Sequence, residues 1–137
     1  MVKKEIIVSR LNKLQEYVLL LERLREYPRE AIVSDPLVYG NVERYLQLAI
    51  QTVIDISNHI LAERKIRGIS EYRDLLERLG TEGIISTELA DKIAPMAGLR
   101  NILVHEYLDV DRERLYSILH EHLGDFKEFG RQVARML

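Results

Sequence analysis

Leu46-Gln47-Leu48-Ala49-Ile50-Gln51-Thr52-Val53-Ile54-Asp55-Ile56-Ser57-Asn58-His59-Ile60 decides the fold of this 137-residue chain. Leu46, Ala49, Val53, Ile56 and Ile60 recur in steps of three and four, which lines them along one side of an α-helix. Upstream, Asp35-Pro36 offers an acceptor side chain at the cap and a proline in the first turn, so the helix is predicted to open there. Downstream, Arg67-Gly68 is expected to close it, glycine being the usual residue just past a helix. The small Ala49 leaves room for a neighbouring helix. Gly40 costs about 1 kcal/mol relative to alanine inside a helix, which suggests a kink or close packing there.

Two further stripes provide partners for this seam. Ile7, Leu11, Leu14, Val18 and Leu21 mark a first helix that should end at Tyr27-Pro28, where proline pushes its predecessor out of the helical region. Pro28 can also open a short helix through Val33. At the other end, Leu115, Leu119, His122, Phe126, Phe129, Val133 and Met136 stay in phase across Gly124, which predicts one uninterrupted last helix from about Asp111. Between them, Ser70 is expected to cap a helix over 71–79 stopped by Gly80, and Ser86 or Thr87 another that runs into a kink at Pro95. Neither sustained alternation nor an Asn-Gly or Asp-Gly turn signals a strand. The expected class is all-α: an antiparallel up-and-down bundle of four to five helices with one or two short extra ones, forming a single domain over 1–137.

Composition narrows the function classes. The absence of cysteine removes disulfides, thiolate nucleophiles and cysteine-ligated metals together. No stretch has the makeup of a leader or a membrane span, so a cytoplasmic location and no membrane partner are expected. A net charge of −2 with interspersed signs excludes a broad basic nucleic-acid face. It leaves room for a compact cleft in which one arginine holds one phosphate.

Such a cleft has a candidate in Leu99-Arg100-Asn101-Ile102-Leu103-Val104-His105-Glu106-Tyr107-Leu108-Asp109-Val110-Asp111. At roughly 100° per residue, Asn101 and His105 are neighbours on one helical face and Arg100 lies beside them. Tyr107 would sit about 200° from His105 in a continued helix, so the helix is expected to end near His105 to Glu106 and the chain to turn into the last helix. The same residues also suit a structural role as cap, surface and satisfied polar groups.

Arginine and asparagine in tandem, histidine five places after the arginine and tyrosine two further on resemble the active-site signature of HEPN-superfamily ribonucleases, and within them the HepT branch. HepT is the toxin half of a HepT/MntA toxin–antitoxin pair. Further resemblance lies in Arg44 within Asn41-Val42-Glu43-Arg44-Tyr45-Leu46-Gln47, in Ile54-Asp55-Ile56-Ser57-Asn58-His59-Ile60, and in Met96-Ala97-Gly98-Leu99. The resemblance implies a metal-independent endoribonuclease without cofactor, acting as a homodimer whose two copies of Arg100, Asn101 and His105 line a shared cleft on an RNA substrate. It also implies an MntA-like nucleotidyltransferase antitoxin that transfers AMP to Tyr107, which must then be exposed. RNA carries its own nucleophile, so cleavage needs proton transfer and charge compensation: His105 fits the first, Arg100 the second, and Asn101 can orient the histidine or donate to phosphate.

Asp55, Asn58 and His59 share one helical face. They suit a supporting set behind the motif residues or a polar network inside the bundle, whereas a metal reading of Asp55 and His59 lacks further ligands. His122 lies on an apolar seam and is expected to be packed, while His120 is expected to face solvent. The alternative to the enzyme is a non-catalytic helical dimer that binds nucleotide or docks a nucleotidyltransferase.

Overall fold

Asp35 opens the longest helix as expected: its carboxylate accepts from the Leu37 amide at 3.0 Å, and Pro36 takes the first helical position. In this computed structural model, which describes residues 4–105 and 110–137, the chain forms eight helical segments and no strand among the described residues. They are α1 (Lys4–Leu24), α2 (Arg29–Ser34), α3 (Pro36–Glu63), α4 (Tyr72–Thr81), α5 (Thr87–Ala97), α6 (Arg100–Val104), α7 (Arg112–Glu121) and α8 (Leu123–Arg135).

The predicted seams are the core. Leu46, Ala49, Val53, Ile56 and Ile60 of α3 are buried, as are Ile7, Leu14, Val18 and Leu21 of α1 and Leu115, Leu119, Phe126, Phe129 and Val133 of α7 and α8. Since α3 packs against each of the other seven helices, its seam is the axis of the bundle. Two hydroxyls on α3 are buried without penalty, because Thr52 donates to the Leu48 carbonyl at 2.7 Å and Ser57 to the Val53 carbonyl at 2.8 Å.

Local departures have local causes. The last helix is two: the chain breaks at His122, whose ring is part-exposed and lies 3.0 Å from the Asp125 carboxylate instead of packing in the seam. Hydrophobic phase reports which face is buried, and that phase survives a one-residue interruption of the backbone ladder. With α7 and α8 counted together, the bundle has five longer helices and two short ones, α2 and α6.

Helix α3 stops at Glu63 rather than near Gly68. The Ile66 amide folds back onto the Leu61 carbonyl at 2.9 Å, Lys65 takes the left-handed conformation at φ 59°, and the Ile66 side chain packs on the core. No side chain caps α4; Ser70 does not reach it, and the helix passes through Gly80 to Thr81. Gly80 is there for packing, since a Cβ at that position would lie 2.8 Å from the Ala90 Cβ of α5. Gly40, by contrast, has no close neighbour: a Cβ would meet nothing within 4 Å. Ser86 caps α5 through the Leu89 amide, and the helix continues past Pro95 before closing at Gly98.

Candidate functional site

Directly after α5, a turn through Gly98 and Leu99 starts the chain again as α6, a five-residue helix carrying Arg100 and Asn101. The buried Leu99 and the part-buried Ile102 and Leu103 hold this segment against the core. The helix ends as expected at His105, whose backbone is extended (φ −86°, ψ 108°) and whose amide donates to the Asn101 carbonyl at 3.2 Å. Asn101 and His105 are both exposed. Tyr107 lies outside the described residues, as does most of the expected turn into α7. That helix is capped by Asp111, which accepts from the amides of Glu113 and Arg114.

Arg100 is half-buried and held from three sides. Its Nε donates to Gln51 Oε1 of α3 at 2.9 Å, its Nη1 to Asn101 Oδ1 at 3.1 Å, and its guanidinium lies 5.2 Å from the centre of the Tyr72 ring of α4. Gln51 in turn donates through Nε2 to Asp55 Oδ1 at 3.0 Å. Asp55, Gln51, Arg100 and Asn101 thus form one hydrogen-bonded chain from the central helix to the exposed tip of α6. Gln51 and Tyr72 escaped the sequence reading. A glutamine four residues before an aspartate on one helical face was the available signal for Gln51, and for Tyr72 there was none.

The other polar residues of α3 stand apart from this chain. Asn58 and His59 are exposed, with no side-chain hydrogen bond to another described residue. Arg44 is exposed too, about two turns before Gln51 on the same face. Nearer the start of α7, the Arg112 guanidinium stacks on the Tyr39 ring at 3.9 Å, and its Nε is buried without a hydrogen-bond partner among the described residues. Beside it, burial raises the Glu43 carboxyl above its ordinary value of 4.5, and Arg112 offsets part of that rise.

Among the described residues no cluster of three or more His, Asp or Glu is arranged to hold a metal. No described helix is long and apolar enough to cross a membrane. A groove of about 740 Å³ runs between α1 and α8 beside Val8, Leu19 and Phe126, away from the Arg100 cluster.

The chain is an all-α bundle whose short helix α6 carries Arg100 and Asn101 at its start and closes on His105. Residues 12–133 match the family model described as Ribonuclease HepT-like. The tRNA nuclease HepT of Aphanizomenon flos-aquae is 34% identical over 133 residues, covering 96% of this chain and 90% of that protein. The mRNA nuclease HepT of Shewanella oneidensis is 24% identical over 129 residues, covering 91% and 93%. The fold is shared with a tri-AMPylated Shewanella oneidensis HEPN toxin solved in complex with an MNT antitoxin (TM-score 0.86, 24% identity, 96% of this chain and 98% of that one). The chain belongs to the HepT-like ribonuclease family.

Proposed function

We propose that this protein is a metal-independent endoribonuclease, the toxin of a toxin–antitoxin pair, with Arg100, Asn101 and His105 as its catalytic residues. The observation that carries the reading is the Arg100 cluster: a guanidinium tied to the scaffold by Gln51 and to Asn101 at the solvent-facing end of α6. The names of two relatives, a tRNA nuclease and an mRNA nuclease, support RNA as the substrate.

The 2′-hydroxyl of RNA attacks the adjacent phosphorus and the 5′-oxygen of the next nucleotide leaves. One proton is taken from the nucleophile and one is given to the leaving group. An imidazole ring can both take and give a proton, which suits His105 to either transfer. Arg100 offsets the charge that grows on the phosphoryl oxygens. Because Asn101 Oδ1 is engaged by Arg100, its amide nitrogen remains as the donor toward phosphate or imidazole. A second histidine comes from a second copy of the chain, in a homodimer whose two-fold axis passes through a shared cleft.

Tyr107 is the residue we assign as AMP acceptor for an MntA-like nucleotidyltransferase antitoxin. An added phosphate beside a phosphate-binding cleft blocks RNA by bulk and by like charge. The protein acts in the cytoplasm, and residues 1–137 constitute one domain in this reading. Asp55 supports the site through Gln51; Asn58 and His59 remain candidates for a supporting role on the same face.

The deciding experiment is RNA cleavage in chelator by the wild-type chain and by His105→Ala, after intact mass has excluded a nucleotide adduct and both forms have been sized in solution. Cleavage that falls by about 100-fold or more in the variant supports the reading. A wild-type dimer inert on a broad RNA pool, or a fully active variant, overturns it.

A further inference from the structure

We infer that Gln51 is a positioning residue for Arg100, and that Asp55 acts by fixing which way round the Gln51 amide sits. The inference rests on the nuclease reading of Arg100 and says how Gln51 and Asp55 act in it.

The chemistry follows from counting donors. A guanidinium has five N–H hydrogens and accepts nothing, so a side-chain amide can hydrogen-bond to it only through its oxygen. Gln51 has an oxygen and an NH₂ at nearly equivalent positions, and with the NH₂ turned toward Arg100 two donors would face each other. Asp55 removes the ambiguity. Its carboxylate is acceptor-only when ionised, so it draws Nε2 to its side at 3.0 Å and leaves Oε1 facing Arg100 Nε at 2.9 Å.

The geometry also selects the edge of the arginine that meets substrate. Nε is occupied by Gln51 and one hydrogen of Nη1 by Asn101, while Tyr72 lies against one face. Nη2 and one Nη1 hydrogen, the fork at the end of the guanidinium away from Nε, face no hydrogen-bond partner among the described residues and suit a phosphate. Because Gln51 and Asp55 stand on the helix at the axis of the bundle, the fork's direction is set through the core as well as by the short α6.

The test is a cycle of variants assayed for RNA cleavage, with unfolding midpoints measured alongside. Gln51→Leu and Asp55→Asn are each expected to lower kcat/KM by roughly 10- to 100-fold, the range associated with a misplaced catalytic group. In an Arg100→Lys background, where no Nε–H or fork exists, the same two substitutions are expected to cost nothing further. Equal losses in both backgrounds, or losses that track the unfolding midpoint, overturn the inference in favour of a structural role.

A second readout separates this inference from the nuclease reading. The Arg100 Nε–H resonance in ¹H–¹⁵N spectra should be protected from exchange in the wild type and lose protection in both Gln51→Leu and Asp55→Asn. A wild type that cleaves no RNA overturns the nuclease reading alone if that protection behaves as stated. Protection indifferent to both substitutions overturns the inference whatever the activity.

Discussion

Helices α3 and α6 divide the work of this molecule unequally. Twelve of the 28 residues of α3 are buried, and the helix touches every other one in the bundle. None of the five residues of α6 is buried. The side chains proposed for catalysis stand on α6 and at its C-cap, yet the bonds that orient Arg100 come from Gln51 on α3 and from its neighbour Asn101. A short, exposed helix can present functional groups accurately when its anchor is borrowed from a well-packed one, which keeps its own surface available for a ligand.

The sharpest break of this division is to cut each helix separately. Leu46 is fully buried in the α3 seam, so Leu46→Ala should destabilise the fold by about 2–5 kcal/mol in denaturant titration. Asn101 is exposed at the tip of α6, so Asn101→Ala should leave stability within about 0.5 kcal/mol of wild type. Its RNA cleavage should nonetheless fall by roughly 100-fold, as for loss of one preorganised donor to a developing oxyanion. If Asn101→Ala lowered stability and activity together, the two helices would not be separable and the comparison would fail.

The same inequality explains what could be read from the residues alone. Periodicity is a property of burial, so the α3, α1 and C-terminal seams were visible before any coordinates. The cap at Asp35 was visible too, and one at Ser86 or Thr87, whereas Ser70, an acceptor in a similar place, caps nothing. The break at His122 was not, since Leu119, Phe126 and Phe129 stay in phase across it. Nor was the early end of α3, because the fold-back of Ile66 onto Leu61 depends on a core that only the tertiary structure provides. Within the candidate site, Arg100, Asn101 and His105 were singled out by a motif whose spacing resembles that of a known family, since residue type and spacing alone suit a structural role as well. Gln51 bonds to Arg100 across 49 positions of sequence, a separation that no local pattern reports.

Smaller effects sharpen the contrast by asking where packing is tight. Gly80→Ala forces its new methyl against Ala90, so α4 and α5 must part by several tenths of an ångström. We expect a loss of about 1–3 kcal/mol, reduced by a helix-propensity gain of up to ~1 kcal/mol. Gly40→Ala meets nothing within 4 Å in α3 and should gain about 0.4–1 kcal/mol. Thermal midpoints moving in opposite directions would support this assignment of tight and open positions. A Gly80→Ala protein as stable as wild type would mean that the α4–α5 contact is looser than its geometry implies.

The smallest expected effect lies where the scaffold meets the far end of the motif stretch, at Glu43 on α3 and Arg112 at the start of α7. Burial raises the Glu43 carboxyl above 4.5, and the opposing pull of Arg112 does not cancel that rise. The folded state therefore holds this proton more tightly than the unfolded chain does, and ionising the group costs stability. The associated stability is fully present below the unfolded value and is lost as pH rises from about 4.5 through the raised folded value. Glu43→Gln keeps the shape and removes the titration, so the wild-type minus variant difference in unfolding free energy should decline across that window and then level off. At neutral pH the variant should be at least as stable as wild type. A difference that climbs with pH would mean that the attraction to Arg112 outweighs desolvation, and that this contact ties α3 to the start of α7 by charge rather than by the stacking of Arg112 on Tyr39.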